Sequence, residues 1–380
     1  MTINKLVAGA KGDPLNSTGA DVRDAVNGLI DISKSNIRNY GEFYTPFGNS
    51  ITAEVNGFWS WFYFASDGSL TFLENKGVGG DTTQDMIDRI DAIDSKTTLC
   101  TVMEGSNDVG QGVTPEQHAI NIKTILLGLI AKGIKPVLLL APPKSNQAHA
   151  DSLREMNLRV WLVARSLGVI CLNPWDQFSD GFGQWKAGLS GDGTHPNSST
   201  AKLAGDTLWP LYEKQKSCYP LNTNNATGVI LNGLFMNDTN ADGKPDDWEV
   251  IDGQGHSLSS TSLGVGNTFY FKALSNFSYT YQLFSLDLGK TYSFGIKFSI
   301  EFLSRVDGKF EMYLQSPAGV RTYIIQNGFE SYTNKLAAHE FVAGEAGSWR
   351  FYVVANGTDY ECDISIAQAT MFCTSDLETA

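Results

Sequence analysis

The spacing of apolar residues changes along the chain and divides it into three regions. In residues 1–39, apolar residues recur at helical spacing, at Val22, Ala25, Val26, Leu29 and Ile30. This pattern predicts one short amphipathic helix. Because a single helix of this kind cannot bury its own apolar face, we expect residues 1–39 to be a helical connector or oligomerisation segment. It would pack on the main domain or on copies of itself.

Residues 40–216 alternate between helical patterns and short, wholly apolar strands. The segment TPEQ, which begins at Thr114, is a capping box with proline at the first helical position. Gly133 ends this helix just before the apolar strand KPVLLLAPP. The same unit recurs in LREMNLRVWLVARSLG with VICLN, and in TTQDMIDRIDAI with TLCTVME. This alternation predicts an α/β domain with a parallel sheet covered on both faces and with sites at the carboxyl ends of the strands.

From about residue 229 the apolar period becomes two. In TYSFGIKFSI the alternating residues are Tyr292, Phe294, Ile296, Phe298 and Ile300. Similar runs are KFEMYL, RTYII, WRFYVV and ECDISI. Short alternating strands separated by Gly, Asn and Ser predict an antiparallel β-sandwich over residues 229–380. The turn-rich segment SCYPLNTNNATG, residues 217–228, is interpreted as the linker between the two domains.

Length and charge narrow the classes of function. A chain of 380 residues is too long for one ordinary core, which agrees with two domains. The formal net charge is −13. Because nucleic acids and anionic lipid surfaces bind basic faces, we expect no nucleic-acid partner and no membrane partner. A neutral ligand such as a sugar chain needs no match of charge.

Targeting signals and cysteine pairs are also missing from the sequence pattern. No apolar run of 18 residues occurs, so no membrane span is predicted. The first residues, MTINKLVAGAKGDP, lack the apolar stretch of a secretory signal. The cysteines are odd in number and show no paired spacing, so we expect neither a zinc site nor a disulfide framework. They are Cys100, Cys171, Cys218, Cys362 and Cys373.

Two short blocks follow the first two predicted strands of the α/β domain. Ser50 comes directly after a glycine-containing turn, where its hydroxyl would project at the edge of the sheet. Gly80 lies in a glycine-rich stretch after LTFLE, where backbone N–H groups can approach a ligand closely. Taken alone, each block is more typical of an ordinary turn than of a catalytic site.

Two further blocks carry an amide, a carboxylate and an imidazole. Asn107 follows the strand TLCTV directly, where its side-chain amide can donate to a developing oxyanion or cap a loop. Asp192 and His195 lie three residues apart in one glycine-containing turn. An aspartate in that position can fix the tautomer of the imidazole and leave its other nitrogen as a general base.

The four blocks, in this order, resemble the SGNH hydrolase family, also called GDSL-like lipases and esterases, over roughly residues 42–212. The resemblance implies a flavodoxin-like sheet in the α/β domain. Asn49 stands where the family usually has aspartate, a position that buttresses the nucleophile. The matching blocks are Gly48-Asn49-Ser50, Asn75-x-Gly77-x-x-Gly80-x-Thr82, Gly105-Ser106-Asn107-Asp108 and Asp192-Gly193-Thr194-His195-Pro196.

The resemblance implies a serine esterase and assigns the site residues. Ser50 would attack an ester carbonyl, His195 would take the serine proton and return it to the leaving alcohol, and Asp192 would orient His195. The backbone N–H groups of Ser50 and Gly80, with the Asn107 amide, would form the oxyanion hole. No cofactor is expected for catalysis.

A second candidate site lies at the start of the β-rich region. Its sequence matches the calcium-loop pattern D-x-N-x-D-G-x5-E, with Asp238, Asn240, Asp242 and Glu249 as candidate ligands. Strand-like sequence flanks the loop, so a structural calcium ion clipped to a β-sandwich and a plain acidic turn are both open.

The same region, NGLFMNDTNADGKPDDWEV, resembles the start of jelly-roll carbohydrate-binding modules. Trp248 and the many tyrosines are candidates for stacking on sugar rings and equally candidates for the core. Together with the esterase blocks, this favours a carbohydrate esterase that removes acetyl groups from a polysaccharide such as bacterial capsule or O-antigen.

Two alternatives to that function remain open, and the N-terminal region adds an expectation about assembly. The first alternative is a lipase or general esterase acting on small acyl esters, and the second is a catalytically weak adhesin that only binds glycan. The N-terminal helix without a signal peptide resembles the connector of phage tail fibres or tailspikes. We therefore expect a homotrimer in a virion tail, or else a secreted protein.

Overall fold

The computed structural model describes residues 42–55, 57–215, 217–218, 229–251, 255–260, 266–305, 309–328 and 331–377. The predicted N-terminal helix within residues 1–39, and most of the linker predicted at 217–228, lie outside the described residues. Among the described residues, no helix is both long enough and apolar enough to cross a membrane.

The first domain contains a six-stranded sheet whose strands are all parallel. Its order is β2-β1-β4-β5-β6, with the two-residue β3 beside β1. Apart from β3, this is the flavodoxin-like order, in which sites form where the strand order reverses. The strands are β1 (Glu42–Gly48), β2 (Leu70–Phe72), β3 (Lys76–Gly77), β4 (Leu99–Met103), β5 (Lys135–Leu139) and β6 (Ile170–Leu172).

Seven α-helices connect these strands within the described part of the domain. Polar caps explain where the long ones begin: the side chains of Thr114, Asn146 and Asn197 each accept a backbone N–H of the first turn. The helices are α1 (Ser50–Ala53), α2 (Phe58–Ala65), α3 (Thr83–Asp88), α4 (Ser106–Gly110), α5 (Pro115–Ala131), α6 (Gln147–Leu167) and α7 (Ser198–Glu213).

Two helical predictions need correction. The run TTQDMIDRIDAI is not one helix, because α3 stops at Asp88 and a 3₁₀ turn (Ile90–Ala92) follows. The side chain of Arg89, at the break, hydrogen-bonds to the carbonyl oxygens of Lys76 and Gly48. Helical spacing also predicts Ile130 on the buried face of α5, together with Ile122, Ile125, Leu126 and Leu129, but Ile130 is 42% exposed at the exposed C-terminal end of the helix.

The sheet separates two apolar layers, as the sequence pattern predicts. On one face, α5 and α6 bury Ile122, Ile125 and Val160 against β4 and β5. On the other, α2 and α7 bury Phe62 and Leu208. Fully burying an aliphatic or aromatic side chain stabilises a fold by roughly 1.5–3 kcal/mol. These layers therefore hold the sheet rigid beneath its carboxyl edge.

The second domain is an antiparallel β-rich unit in which eight strands form one connected sheet. The core of this domain is rich in phenylalanines, including Phe271, Phe294 and Phe351. Its strands are β7 (Glu249–Ile251), β8 (His256–Ser260), β9 (Asn267–Leu286), β10 (Thr291–Arg305), β11 (Lys309–Gln315), β12 (Arg321–Gly328), β13 (Tyr332–Val342) and β14 (Gly347–Cys373).

The prediction of short strands throughout this domain is wrong. The runs WRFYVV and ECDISI belong to one strand, β14, which has 27 residues. Its first part pairs with β11 and β9, and its second part pairs with β10 and β9. The Asn356-Gly357 pair does not end the strand, because the ladder with β9 resumes after a register shift between Gly357 and Glu361.

The two domains contact one another along α6. The Phe372 ring, at the end of β14, packs edge-on against Trp161 with 6.0 Å between ring centroids. Arg165 donates from Nη1 to Glu340 Oε2 at 2.7 Å. Phe372 is therefore part of the apolar layer of the first domain.

Candidate active site

The serine turn lies at the carboxyl end of β1, the strand beside which the sheet order reverses. Asn49 caps α1 by accepting the N–H of Ile51 at 3.0 Å, which places Ser50 at the first helical position. A Cβ atom at Gly48 would lie 2.4 Å from Thr52 Oγ1 and 2.5 Å from the Met103 carbonyl oxygen. Only glycine fits there, so the turn is fixed tightly against β4.

The structure brings together the three residues predicted for the charge relay. Ser50 Oγ and His195 Nε2 are hydrogen-bonded at 2.8 Å, across 145 positions of sequence. On the other side of the ring, His195 Nδ1 and Asp192 Oδ2 are 2.6 Å apart. The hydroxyl, imidazole and carboxylate are thus connected in the order that proton transfer requires.

Asp192 is held as an anion. Its Oδ1 accepts the backbone N–H groups of Thr194 at 2.9 Å and His195 at 2.8 Å. Burial opposes ionisation, but the hydrogen bonds from the His195 side chain and from these backbone groups outweigh it and hold the pKa of Asp192 far below its usual range. The side chains of His195 and Asp192 are 32% and 56% exposed, so the site is open to solvent.

A lysine that sequence reasoning missed anchors the histidine turn. Lys144, which is buried, donates from Nζ to Thr194 Oγ1 at 3.0 Å. The neighbouring Ser145 N–H donates to the Gly193 carbonyl at 2.9 Å. Burial lowers the pKa of Lys144, and the carboxyls of Glu104 and Asp192 act in the opposite direction. The loop after β5 therefore fixes the turn that carries His195.

The loop that carries the predicted oxyanion residue Gly80 passes beside Ser50, and Asn107 is hydrogen-bonded to that loop. The N–H of Ser50 is at a helix N-terminus, where no intrahelical acceptor exists. Gly79 is adjacent to Ser50, since a Cβ built on Gly79 would lie 4.0 Å from Ser50 Cβ. Gly80 has a φ of +86°, a conformation that glycine adopts without strain. Asn107 donates from Nδ2 to the Asp81 carbonyl at 2.8 Å, which ties its amide to this glycine loop.

Arg89 holds the glycine loop in place, a role that the sequence pattern did not predict. Its Nη1 and Nη2 donate to the carbonyl oxygens of Lys76 and Gly48, at 2.8 and 2.9 Å, and its Nε donates to Asp81. The guanidinium also lies 4.5 Å above the centre of the Phe47 ring. One side chain thus ties β1, β3 and the loop after β3.

A buried polar network supports the Asn107 block from below. Asp108, which is fully buried, accepts from the Thr83 N–H at 2.8 Å and hydroxyl at 2.6 Å, and lies 2.7 Å from His118 Nδ1. Burial opposes ionisation, but these partners lower the pKa of Asp108 overall. In the sequence, Asp108 was indicated only by the Gly-x-Asn-Asp block. No pattern near His118 predicted that it would be the partner of Asp108.

The candidate calcium residues divide into two groups. Asp238, Asn240 and Asp242 share one turn, in which Asp238 accepts the N–H groups of Asp242 and Gly243 at 3.2 and 2.9 Å. Glu249 begins β7 and accepts from Lys244 Nζ at 3.3 Å. Over the described ranges, no cluster of three or more His, Cys, Asp or Glu side chains is arranged to hold a metal ion. The calcium site stays a prediction.

The aromatic residues of the second domain also divide into two groups, one inside the main core cluster and one outside it. Trp248 is 1% exposed and packs on Phe235 and Phe351, so it belongs to the core. A row of tyrosines on β9, β11, β12 and β14 instead lies outside this core cluster, with Tyr313 buried and the other rings partly exposed. We call Tyr279, Tyr281, Tyr313, Tyr323 and Tyr352 the tyrosine row.

The fold and the site together define a class of protein: a flavodoxin-like α/β domain with a linked serine, histidine and aspartate at the carboxyl edge of its sheet. Residues 47–203 match the model of the GDSL-like Lipase/Acylhydrolase family. The match covers all four blocks and supports an ester hydrolase of GDSL-like type. The match supports, for the first domain, the family resemblance found in the sequence.

Solved structures are similar to this chain over somewhat less than half of its length. A putative lipolytic protein of the G-D-S-L family from Desulfitobacterium hafniense has 21% identity and a TM-score of 0.41, over 44% of this chain and 98% of its own. A GDSL-like lipase from Bacteroides thetaiotaomicron has 16% identity and a TM-score of 0.40, over 49% and 97%. An acetylxylan esterase from Geobacillus stearothermophilus has 16% identity and a TM-score of 0.39, over 46% and 94%. No curated protein matches the chain in sequence.

Proposed function

We propose that this protein is a carbohydrate esterase that removes acetyl groups from a polysaccharide by a Ser-His-Asp mechanism. The observation that carries the proposal is the continuous hydrogen-bonded path from Ser50 through His195 to Asp192, with separations of 2.8 and 2.6 Å. The bulk charge of −13 and the open site both suit a neutral polymer that approaches from solvent.

The geometry supports a specific sequence of proton transfers. With Nδ1–H donated to Asp192, the Nε2 atom of His195 accepts the proton of Ser50 as Oγ attacks the ester carbonyl. As the bond between the carbonyl carbon and the sugar oxygen breaks, the imidazolium gives this proton to the leaving sugar oxygen, which departs as a hydroxyl. Water, activated by the same nitrogen, releases acetate from the acyl-serine and restores the hydroxyl.

The developing oxyanion needs preorganised donors on the opposite side of the attacked carbonyl. The N–H groups of Ser50 and Gly80 and the amide of Asn107 are proposed for this role. Loss of one such donor typically lowers kcat by roughly 100- to 1,000-fold. Arg89 and Lys144 act indirectly, because each hydrogen-bonds to the loops that carry these groups.

Turnover of p-nitrophenyl acetate by wild type and by Ser50→Ala tests the esterase assignment. We expect wild type to release p-nitrophenol and the variant to fall to the background rate, because Ser50 is the hydroxyl that pairs with His195 within the part of the chain that the structure describes. Ser60→Ala, a change at a buried serine of α2 that only bonds the Gly57 carbonyl, is the matched control. Equal rates in wild type and Ser50→Ala would contradict the assignment.

The tyrosine row supports a sugar chain as the substrate. Cross-strand register places Tyr323, Tyr313, Tyr352 and Tyr281 side by side on β12, β11, β14 and β9. Neighbouring ring centroids are 5.0–5.5 Å apart. Tyrosine combines a flat apolar ring with a hydroxyl, which is the combination that amphipathic sugar rings bind.

Substitutions in the tyrosine row separate polymer binding from chemistry. Tyr281→Ala and Tyr352→Ala are expected to weaken binding of an acetylated polysaccharide by about tenfold, the value of one aromatic contact, while p-nitrophenyl acetate turnover stays at the wild-type rate. Affinity electrophoresis in gels containing the polysaccharide measures this. Phe64→Ala, a change at an exposed ring of the first domain, should alter neither quantity.

Acyl-chain preference and residual activity decide between this proposal and its alternatives. A lipase or general esterase would hydrolyse long-chain p-nitrophenyl esters faster than the acetate. An adhesin with weak catalysis would bind the polysaccharide and release no acetate from it. The linked hydrogen bonds at Ser50 and His195 favour an active enzyme.

For the acidic loop, we propose a structural calcium ion bound by Asp238, Asn240, Asp242 and Glu249. Adding calcium to chelator-treated protein should raise its thermal unfolding midpoint, since a ligand at 100 times its Kd stabilises by about 2.7 kcal/mol. Asp238→Asn should remove the increase. An unchanged midpoint in wild type would show that the loop is an acidic turn that binds no calcium.

For the assembly, we propose a homotrimer that is joined through residues 1–39. The protein would be located in a virion tail or be secreted. Light scattering of the full chain should give three times the 41.4 kDa monomer mass. Deletion of residues 1–39 should reduce it to the monomer mass. A monomeric full chain would contradict the tail-fibre version.

A further inference from the structure

A buried carboxyl lies directly beneath the serine turn. Glu104 is 3% exposed, and its Oε2 accepts from Asn49 Nδ2. Asn49 is itself 1% exposed and accepts the N–H of Ile51 through Oδ1 at 3.0 Å. The side chain of Asn49 is therefore held at both ends, and Glu104 fixes the residue immediately before Ser50.

The other oxygen of the same carboxyl holds the Asn107 block. Glu104 Oε1 accepts the backbone N–H of Asn107 at 2.8 Å and that of Asp108 at 3.3 Å. One side chain thus joins the N-terminus of α1 to the N-terminus of α4. These two short helices carry the proposed nucleophile and the proposed oxyanion donor.

The carboxyl is held by hydrogen-bond donors rather than by an ion pair. Among the described residues, no cation lies within 4.0 Å of Glu104. The nearby Asp108 raises the pKa of Glu104, and the Glu104 carboxyl in turn acts to raise the pKa of the more distant Lys144. Exchanging the carboxyl of position 104 with the amide of position 49 would therefore break no salt bridge.

We infer that Asn49 and Glu104 form a positioning pair that sets Ser50 relative to the oxyanion donor Asn107, an inference that rests on the proposed esterase function. Neither residue touches the substrate. Their hydrogen bonds join the two turns whose relative placement decides whether the attacked carbonyl reaches the donors. A displacement of about 1 Å in such a site can lower the rate by about 100-fold.

Reversing the polarity of the pair tests the inference. Asn49→Asp alone places two carboxyls face to face, and Glu104→Gln alone places two amide NH₂ groups face to face while Oε1 still accepts from Asn107. In the double variant Asn49→Asp/Glu104→Gln, the glutamine amide donates to the new carboxylate, which still accepts the Ile51 N–H. Every hydrogen bond is restored with the central donor and acceptor exchanged.

We expect each single variant to lower kcat for p-nitrophenyl acetate by about 100-fold, with KM changed far less. The double variant should recover at least tenfold of that loss. Thermal unfolding midpoints are measured in parallel, so that rates refer to folded protein. The matched control is the exposed pair Gln84 and Asp88 on α3, joined at 3.0 Å. Exchanging it through Gln84→Glu/Asp88→Asn should leave kcat unchanged.

The outcomes separate the inference from the proposed function. Single variants that are less stable but retain wild-type kcat would show that the pair only stabilises the fold, and would overturn the inference. A double variant no better than the singles would overturn it as well. Both results leave Ser50-dependent turnover of wild type intact, whereas its absence would remove the proposed function and the inference together.

Discussion

At the scale of single residues, burial governs the protonation of Glu104. Burial comes first and the nearby Asp108 second, and together they raise the pKa of Glu104 to about 8 from an ordinary value of 4.5. Backbone N–H groups, including that of Asn107, act in the opposite direction. Glu104 is thus a carboxyl that stays protonated to unusually high pH, whereas Asp192 is a carboxylate that stays ionised to unusually low pH.

The raised pKa of Glu104 predicts a stability that depends on pH. Between about pH 4.5 and pH 8 the folded chain binds a proton at this group that the unfolded chain releases, so its contribution to the free energy of unfolding falls as pH rises through this window. Glu104→Gln has no proton to lose. Urea unfolding of both proteins across the window should therefore show a steeper decline for wild type.

A variant of the serine turn, Asn49→Ala, is the control for that experiment. Asn49→Ala removes a partner of Glu104 without removing the carboxyl, and it should keep the wild-type slope. Parallel stability curves for wild type and Glu104→Gln would mean that another group controls this pH range.

At the scale of elements, the contact between β3 and α1 decides where the glycine loop lies. Gly77 is so close to α1 that a Cβ atom would stand 2.2 Å from Ala53 N and 2.5 Å from Thr52 C. Both are backbone atoms, which cannot move aside like the end of a side chain. Because β3 leads into Gly79 and Gly80, any shift of β3 also shifts the oxyanion groups relative to Ser50.

Gly77→Ala is expected to lower both stability and activity. Overpacking of this kind costs about 1–3 kcal/mol, and the displaced loop should lower kcat more than it raises KM. Gly110→Ala is the control, because a Cβ there meets no atom within 4 Å. Chemical denaturation and esterase kinetics measure the two effects. Wild-type values for Gly77→Ala would show that β3 and α1 can separate without cost.

At the scale of the whole molecule, α6 connects the two domains. Phe372 is 8% exposed, and its ring packs edge-on against Trp161 of α6. Trp161 also donates from Nε1 to the Cys218 carbonyl at 2.8 Å, which fixes the first part of the predicted linker. The end of β14 therefore completes an apolar layer that the first domain would otherwise leave open.

This contact predicts that the domains unfold together. Wild type should show one calorimetric transition, and Phe372→Ala should separate it into two, since deleting a buried phenylalanine ring costs about 3 kcal/mol. Phe64→Ala removes a ring that is 63% exposed, and it should leave a single transition. Two transitions in wild type would show that the contact does not couple the domains.

The sequence by itself determined the type and order of most elements and the four blocks of the site. Helical and strand periods, the capping residues Thr114 and Asn197 and the helix-ending Gly168 act within a few positions of themselves, so a local pattern is enough to predict them. The same holds for the placement of Ser50, Asn107 and His195 just beyond strands or in turns.

Only the tertiary structure decided which distant residues meet. Glu104 accepts from Asn49, Arg89 donates to Gly48, and Lys144 donates to Thr194. A buried polar group takes its partner from whatever chain segment packs against it, and no periodicity encodes that segment. The length of β14 was decided in the same way, because neighbouring strands on both sides keep it extended through Asn356 and Gly357.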